Sequence, residues 1–327
     1  MSITPYALRA LLAPVLVVAS TLAIGSLQAA TATVNPGDSI QVALDAVGNA
    51  GGGTVYVNSG NYANYSPCTI PNSTSLKGSG STRPVLTMAG AKNQEVVRNK
   101  SVPFSSVTAD FISVNAGLTN AQMDAATYNA SNGINLGDHN TASQSSNGTI
   151  INCYATNCSQ GYMMGFTTTA KLDSCTVTNC GGGEVGTTPG LHNIYISSCD
   201  PFLARYVTST NCRTGIGLKM CDWYSSIAET SQVVEYCTLT GNKGISGKYN
   251  GIGLAVYNIN NLIVRNSSCS NNTGDGMYIV NCTSGGQLLN NTCTGNSYVT
   301  NVAYDIFLSG CANMTISGNT YNTKSGF

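Results

Sequence analysis

The chain has 327 residues and a formal net charge of zero, with 14 basic and 14 acidic side chains. Charged residues make up only 9% of it, whereas glycine is abundant and Asn, Ser and Thr recur throughout. A nucleic-acid-binding protein needs a basic face, and a disordered chain is usually rich in charge, so this composition argues against both classes. The composition favours a folded protein whose surface consists mainly of amides and hydroxyls.

Residues 1–32 are predicted to form a signal peptide. Arg9 supplies the positive charge, residues 11–24 are mostly apolar, and Ala30-Thr31-Ala32 offers a small-residue cleavage site. Gln28-Ala29-Ala30 is a competing site. The apolar run is too short and too interrupted to indicate a membrane span. We therefore expect a secreted, extracellular protein with a single mature domain over residues 33–327.

A helix is predicted near residues 38–49, at the start of that domain. Asp38-Ser39 can cap its N-terminus, and Gly51-Gly52-Gly53 ends the helical pattern before a strand that begins at Thr54. The apolar face of the helix is formed by Ile40, Leu44 and Val47. We expect this helix to cover the open end of the fold, where strand edges would otherwise be unpaired.

A repeat of 22 to 32 residues runs from about residue 148 to the C-terminus. Its first position is mostly apolar and is occupied by Ile150, Leu172, Ala204, Val234, Val264, Leu288 and Ile316. The second position follows five residues later and is occupied by Ala155, Val177, Ser209, Leu239, Cys269, Cys293 and Tyr321. A constant local pattern with variable spacing indicates fixed strands separated by loops of different lengths. The repeat predicts an all-β domain, a right-handed parallel β-helix.

Polar and cysteine residues recur at the turns of this repeat. Three residues after the second position come Cys158, Cys180, Cys212, Asn242, Asn272 and Asn296, and two residues after the first come Asn152, Asn266 and Asn290. Stacked Asn side chains are expected to pass hydrogen bonds from coil to coil. Neighbouring coils also bring Cys158, Cys180 and Cys212 within the range of a disulfide, although small buried thiols are the favoured interpretation. The 13 cysteines include no Cys-x-x-Cys pair, so a zinc site is not indicated.

A third strand follows in each coil, and its alternation turns Lys219 outward while Leu218 and Met220 face the core. The same register predicts an outward column formed by Gly137, Gly165, Tyr195, Lys219, Ala255, Tyr278 and Phe307. Lys219 is the one cation in this column. Tyr195 is its predicted neighbour, one coil earlier and roughly 4.8 Å away.

Four segments resemble those of a known family: residues 39–41, Gly51-Gly52-Gly53-Thr54-Val55-Tyr56-Val57, Gly60-Asn61-Tyr62 and Asn-Asn-Thr-Gly-Asp-Gly-Met at residues 271–277. Through them the chain resembles the pectate-lyase-like superfamily of secreted right-handed parallel β-helix polysaccharide lyases. The resemblance covers nearly the whole predicted mature chain and implies the fold more specifically than the activity, because the scaffold carries lyases, hydrolases, epimerases, esterases and tail spikes.

A Lys–Tyr pair resembles the catalytic pair of metal-independent β-helix alginate lyases, which implies Lys219 and Tyr195 as catalytic residues. Elimination from a uronic acid needs a base for the C5 proton, an acid for the departing C4 oxygen and a cation for the carboxylate. The predicted substrate-binding residues are Arg213, His192, Asn193, Lys248, Lys243 and Tyr278. A Lys crowded by Arg and Tyr is expected to have a lowered pKa, which favours its role as the base.

Other catalytic chemistries lack their residues in this sequence. The Gly-His-Gly and Arg-Ile-Lys motifs of a polygalacturonase-type hydrolase are missing. A calcium-dependent lyase needs several acidic ligands on one face, whereas the acidic residues here fall on separate coils: Asp138, Glu184, Asp275 and Asp305. No catalytic calcium site is therefore predicted. We expect a monomer without metal or cofactor that acts on an acidic polysaccharide, with alginate favoured.

Several alternatives stay open. The scaffold could be a pectate lyase, a uronan epimerase or a non-catalytic adhesive β-helix, and Lys219 could be an ordinary solvated surface group. Arg205 and Arg265 are expected to pair with Glu235 in a structural role.

Overall fold

The computed structural model describes residues 29–90, 93–125, 130–137, 144–182, 192–222, 231–244, 251–296 and 303–326. Two helices, α1 (Ile40–Asn49) and α2 (Asn120–Asp124), accompany a succession of short strands. The strands of the N-terminal half are β1 (Ala30–Val34), β2 (Gly53–Asn58), β3 (Asn61–Asn64), β4 (Cys68–Ile70), β5 (Thr74–Ser79), β6 (Val85–Met88), β7 (Val97–Asn99), β8 (Ser105–Asp110), β9 (Ser113–Asn115), β10 (Ile134–Gly137), β11 (Ser145–Ile151), β12 (Tyr154–Thr156), β13 (Tyr162–Gly165), β14 (Thr167–Thr168), β15 (Ala170–Asp173) and β16 (Thr176–Thr178). Those of the C-terminal half are β17 (Ile194–Ser197), β18 (Phe202–Arg205), β19 (Thr208–Thr210), β20 (Leu218–Cys221), β21 (Gln232–Glu235), β22 (Thr238–Thr240), β23 (Leu254–Tyr257), β24 (Leu262–Arg265), β25 (Met277–Val280), β26 (Gln287–Leu289), β27 (Thr292–Cys293), β28 (Ile306–Ser309), β29 (Thr315–Ser317), β30 (Thr320–Tyr321) and β31 (Lys324–Ser325).

The strands form three parallel sheets, to each of which most coils contribute one strand. Sheet 1 has the order β1-β2-β5-β8-β11-β15-β18-β21-β24-β26-β29, with β14 also paired to β11. Sheet 2 has the order β3-β6-β9-β12-β16-β19-β22, and single bridges through Ser268 link it to β27 and β30. Sheet 3 has the order β4-β7-β10-β13-β17-β20-β23-β25-β28-β31. This is the predicted right-handed parallel β-helix.

The predicted register of sheet 1 is confirmed. The apolar column pairs in the predicted order through Ile150–Leu172, Leu172–Ala204, Ala204–Val234, Val234–Val264, Val264–Leu288 and Leu288–Ile316. Its members are fully buried except Ile316, which is half-buried because it lies in the last coil, where no further described coil covers it.

The outward column of sheet 3 was predicted correctly only in part. Tyr195 pairs with Lys219, and Lys219 pairs with Ala255, as expected. Asn135 and Met163, rather than Gly137 and Gly165, are aligned with Tyr195 in this column. The two glycines end their strands and are aligned with Ser197. The predicted column was therefore displaced by two residues in these two coils.

Asn residues serve two different purposes at the turns. Asn242, Asn272 and Asn296 form the predicted ladder, with side-chain hydrogen bonds of 2.9 and 3.1 Å between successive amides. Asn152 and Asn266, by contrast, have φ values of 54° and 51°, a left-handed conformation that Asn tolerates better than most residues. Their turn position is occupied by Tyr206 in an intervening coil, so backbone conformation rather than a continuous ladder explains these Asn residues.

The predicted capping helix is confirmed as α1. The Ser39 hydroxyl accepts a hydrogen bond from the Val42 amide at 3.3 Å, and Ile40, Leu44 and Val47 are buried against the first coils.

The position of the first strand distinguishes the two predicted cleavage sites of the signal peptide. β1 begins at Ala30, so cleavage after Ala32 would remove three of its five residues, whereas cleavage after Ala30 would keep four. The cleavage itself stays a prediction. Among the described residues, no helix is long and apolar enough to cross a membrane.

The cysteines line the interior as thiols. All 13 are present as thiols rather than disulfides, and every one except Cys311 is buried. Cys158, Cys180 and Cys212 share a turn column as predicted, because each follows by two residues the paired Thr156, Thr178 and Thr210. The disulfide that an exported chain would permit is therefore not formed in this structure.

The predicted ionic contacts of sheet 1 need one correction. Arg265 pairs with Glu235 at 2.6 Å, as expected. Arg205 pairs instead with Asp173 at 2.7 Å, on the preceding coil. Burial opposes ionisation of Asp173, but hydrogen bonds from Arg205 and Lys171 outweigh it and lower the pKa of that carboxyl to about 2.

Candidate active site

Lys219 and Tyr195 lie side by side on the outer face of sheet 3, on β20 and β17. The Lys219 Nζ lies 5.3 Å from the centroid of the Tyr195 ring and 5.7 Å from that of Tyr257. The ammonium is thus held between two aromatic faces, each of which attracts a cation through its ring quadrupole. The side chain is half-buried rather than extended into solvent.

Burial changes the protonation of this group of side chains. It lowers the pKa of Lys219 from its ordinary value of 10.5, with a smaller opposing effect from Cys221. Burial, aided by the positive charge of Lys219, also holds the pKa of His192 well below 6.5. The pKa of Tyr257 is raised to about 12 by burial. At neutral pH His192 and Tyr257 are therefore uncharged, and Lys219 gives up its proton more readily than an exposed lysine.

His192 and Cys221 complete the surroundings of Tyr195. The His192 ring centroid lies 5.9 Å from that of Tyr195, and its Nδ1 accepts the Ile216 amide at 3.4 Å. The neutral imidazole then carries its proton on Nε2. The Cys221 Sγ lies 3.3 Å from the Tyr195 hydroxyl oxygen. The neutral imidazole and the Cys221 thiol thus lie against Tyr195 beside Lys219.

Asn193 does not face the site. Its Nδ2 donates to the Ser209 hydroxyl and to the Thr210 carbonyl, both at 3.0 Å, and its Oδ1 accepts the Cys180 amide at 3.2 Å. The side chain is fully buried in the turn between sheets 2 and 3. The predicted substrate contact is therefore replaced by a structural role, because the residue precedes β17 and strand alternation does not extend into the turn.

Arg213 lies on a neighbouring surface instead of beside Lys219. Its guanidinium binds Asp124 at the end of α2 in a bidentate pair, with N–O distances of 3.0 and 2.7 Å. Arg213 lines a cleft of about 710 Å³ with Lys243 of the next coil. The cleft also contains Asn179 and Asn211. Arg213 precedes Lys219 by six positions in the chain, so their Cα atoms are at most ~22 Å apart.

Tyr278, another predicted substrate-binding residue, lies away from the pair. Tyr278 is two coils beyond Lys219, and it stacks on Phe307 with ring centroids 4.8 Å apart. Between Lys219 and Tyr278 stands Ala255, which packs with the half-buried rings of Tyr257 and Tyr278 and forms the floor of the site. Lys248 lies outside the described residues.

Tyr257, Cys221 and Asp124 were not anticipated as parts of these surfaces. Tyr257 had a signal, since it lies two residues after the outward Ala255 and strand alternation turns it to the same face. Asp124 had none, because it lies 89 residues from Arg213 in sequence. In the part of the chain that the structure describes, no three His, Cys, Asp or Glu side chains cluster as metal ligands.

Comparison with known proteins confirms the superfamily. The family model described as rhamnogalacturonase A/epimerase, pectate lyase-like matches residues 31–245, more than half of the chain. The chain belongs to this family. Family membership indicates a polysaccharide-acting enzyme of the β-helix type. No curated protein matches the chain significantly in sequence.

Solved structures show the same fold. The A-module of the Azotobacter vinelandii mannuronan C-5 epimerase AlgE4 has 15% identity and a TM-score of 0.59, covering 88% of this chain and 85% of its own. The AlgE6 A-module from the same organism has 19% identity and a TM-score of 0.55, with 88% and 82% coverage. The DFA-IIIase of Arthrobacter chlorophenolicus A6, without its lid, has 12% identity and a TM-score of 0.50, with 90% and 89% coverage.

Proposed function

We propose that this protein is a secreted lyase that cleaves a uronic-acid polymer, with alginate as the favoured substrate, by β-elimination. The observation that carries the proposal is the Lys219 amine held between the rings of Tyr195 and Tyr257 on the outer face of sheet 3. Burial lowers the pKa of this lysine, which favours its neutral amine as a base, and a tyrosine hydroxyl beside it can act as an acid.

The proposed reaction assigns one proton transfer to each member of the pair. The neutral Lys219 amine removes the proton from C5 of the sugar, and the electron pair forms the C4–C5 double bond as the C4–O bond breaks. The Tyr195 hydroxyl donates its proton to the departing C4 oxygen. Proton return from the Lys219 ammonium to the Tyr195 phenolate restores the starting state. The rate gain from such positioned acid–base groups is typically 10²–10⁴-fold for each.

The cleft of Arg213 and Lys243 supports the choice of an acidic substrate. Its two cations lie in adjacent coils beside the amides of Asn179 and Asn211. Because Asp124 already occupies the guanidinium of Arg213, we assign this cleft to sugar residues flanking the one that reacts, and not to neutralisation of the reacting carboxylate.

C5 epimerisation is the second candidate, and the family description and the two epimerase A-modules of the same fold favour it. The two reactions share removal of the C5 proton. In epimerisation the C4–O bond survives and a proton returns to the opposite face of C5. Lys219 and Tyr195 would then be the two proton carriers.

The test is a substrate panel of alginate, polygalacturonate and chondroitin with purified protein. Growth of ultraviolet absorbance from the unsaturated product identifies the lyase. Deuterium incorporation at C5 in D₂O without that absorbance identifies the epimerase. Absence of both, with the polymers nevertheless retained by immobilised protein, would instead support a non-catalytic adhesive β-helix.

A further inference from the structure

Cysteine thiols of successive coils lie against each other at several turns of the solenoid. Hydrogen bonds between their sulfur atoms join Cys153 with Cys175, Cys158 with Cys180, Cys269 with Cys293 and Cys282 with Cys311. The first three pairs are buried, whereas Cys311 is the one cysteine of the chain that is only half-buried. The pair of Cys282 and Cys311 is therefore the one most open to a reagent from solvent.

Backbone pairing places Cys282 and Cys311 directly opposite each other in adjacent coils. β25 and β28 are paired up to Val280 and Ser309, and each cysteine follows the last paired residue of its strand by two positions. The register continues through the turn, because the amide that follows Cys311 donates to the Cys282 carbonyl at 3.2 Å. Neighbouring parallel strands lie about 4.8 Å apart, which falls within the Cα–Cα range of roughly 4.4–6.8 Å that a disulfide allows.

The thiol of Cys311 leans back over the coil that contains Cys282. Its Sγ lies 3.5 Å from the carbonyl oxygen of Ile279 in that coil, and 3.5 Å from the carbonyl oxygen of Ser309 in its own. The Cys282 Sγ lies 3.9 Å from the Val280 carbonyl oxygen and is hydrogen-bonded to the Cys311 thiol. Since the two sulfur atoms are already in contact, a bond between them requires little movement of the backbone.

The thiolate is the reactive form of cysteine, and Cys311 forms it more readily than the interior cysteines do. The hydrogen bond from the Cys282 thiol lowers the pKa of Cys311 to about 6, although burial partly opposes this effect. In the interior pairs, by contrast, burial raises the pKa of Cys175 and of Cys180 well above 9. At neutral pH a partly exposed thiolate at Cys311 can therefore attack a reagent, while the interior thiols stay protonated and shielded.

We infer that Cys282 and Cys311 form a redox-active pair, which a low-molecular-weight disulfide, RSSR, converts into a protein disulfide. The Cys311 thiolate attacks one sulfur of RSSR, which gives a mixed disulfide and releases RS⁻. Cys282 then loses its proton and attacks the Cys311 sulfur, which expels the second RS⁻. The two RS⁻ ions take up the two cysteine protons, so two protein thiols are oxidised and RSSR is reduced to two RSH. The new bond ties the coil of β28 to the coil of β25.

Thiol counting and peptide mapping test the inference without polysaccharide, so its failure and that of the proposed enzymatic function are distinguishable. Fully reduced full-length protein, freed of reductant, is incubated in its native state at neutral pH with a small excess of oxidised glutathione. It is then unfolded in iodoacetamide, digested and mapped without reduction. Two of the 13 thiols should be lost, and a single linkage between Cys282 and Cys311 should account for them.

Three variants separate the two steps of the exchange. Cys282→Ser removes the second attacking thiol, so glutathione should stay attached to Cys311 instead of being expelled. Cys311→Ser should lose no thiol. Cys293→Ala, in an interior pair, is the matched control and should lose the same two thiols as the wild type.

Three results with the wild-type protein would overturn the inference. The first is retention of all 13 thiols. The second is a loss of thiols at other cysteines. The third is glutathione that remains attached to Cys311 without a linkage to Cys282. If Cys282→Ser fails to fold, the wild-type peptide map and Cys311→Ser decide the question.

Discussion

Replacing Lys219 with Met tests the catalytic proposal most directly, because Met keeps the length and apolar stem of the side chain while removing the amine. The change deletes two cation–aromatic contacts, at 5.3 and 5.7 Å, each of which is worth about 0.5–2 kcal/mol. It also removes the cost of burying a charge, which is the reason that the pKa of Lys219 is lowered. The two effects oppose each other, so we expect the free energy of unfolding to change by no more than about 1 kcal/mol.

The effect on activity should be far larger. Loss of a positioned base typically lowers the rate by 10²–10⁴-fold, equivalent to about 3–5 kcal/mol of transition-state stabilisation. Initial rates of unsaturated-product formation on alginate measure this loss, and urea unfolding measures stability. If the product is epimerised, C5 deuterium exchange replaces absorbance as the readout.

Lys324→Met is the matched control. The Lys324 Nζ lies 5.4 Å from the Tyr321 ring centroid, so this change also removes a cation–aromatic contact from sheet 3, but in the last coil. It should leave kcat/KM unchanged. A Lys219→Met enzyme that retained more than a tenth of wild-type activity would refute the role of Lys219 as the base.

Lys219 also predicts a pH dependence. If the neutral amine is the base, as proposed, kcat/KM should rise with pH up to the lowered pKa, below the ordinary value of 10.5. Between the lowered pKa and 10.5, the Lys219 amine binds fewer protons in the folded state than in the unfolded state. Its contribution to the free energy of unfolding should therefore rise with pH across that window. Lys219→Met should lack both features.

Tyr195→Phe keeps the aromatic face beside Lys219 but removes the hydroxyl, and it should slow turnover by about a hundredfold or more with little change in stability. Arg213→Ala should mainly raise KM, because we assign the cleft to flanking sugars; a fall in kcat alone would contradict that placement. Asn272→Leu interrupts a ladder in which the buried amide makes four hydrogen bonds, and urea unfolding should show a loss of about 3–5 kcal/mol. Thiol titration after unfolding without reductant should find 13 thiols per chain, and a smaller number would show that stacked cysteines oxidise.

The fold and much of its register could be predicted from the amino-acid sequence. Residues that face the interior of a β-helix recur once in each coil, so the apolar column from Ile150 to Ile316 is apparent as a repeat in the chain. The capping helix is equally apparent, because helix caps and a 3.6-residue apolar period are local signals. The neighbours Tyr195 and Lys219 follow from strand alternation in the same way.

The tertiary structure alone determines which distant side chains meet. It also determines which side chains beside the site turn into the interior. Arg213 is bound by Asp124, and the two come together only because α2 and a later turn meet at the same side of the solenoid. Asn193 lies only two residues before the outward Tyr195, yet its side chain is buried and forms hydrogen bonds inside a turn. Local periodicity specifies which face a strand residue takes, but it carries no information about turn geometry or about partners supplied by distant loops. The electrostatic state of Lys219, which depends on its burial between two rings, is therefore a property of the folded coil stack.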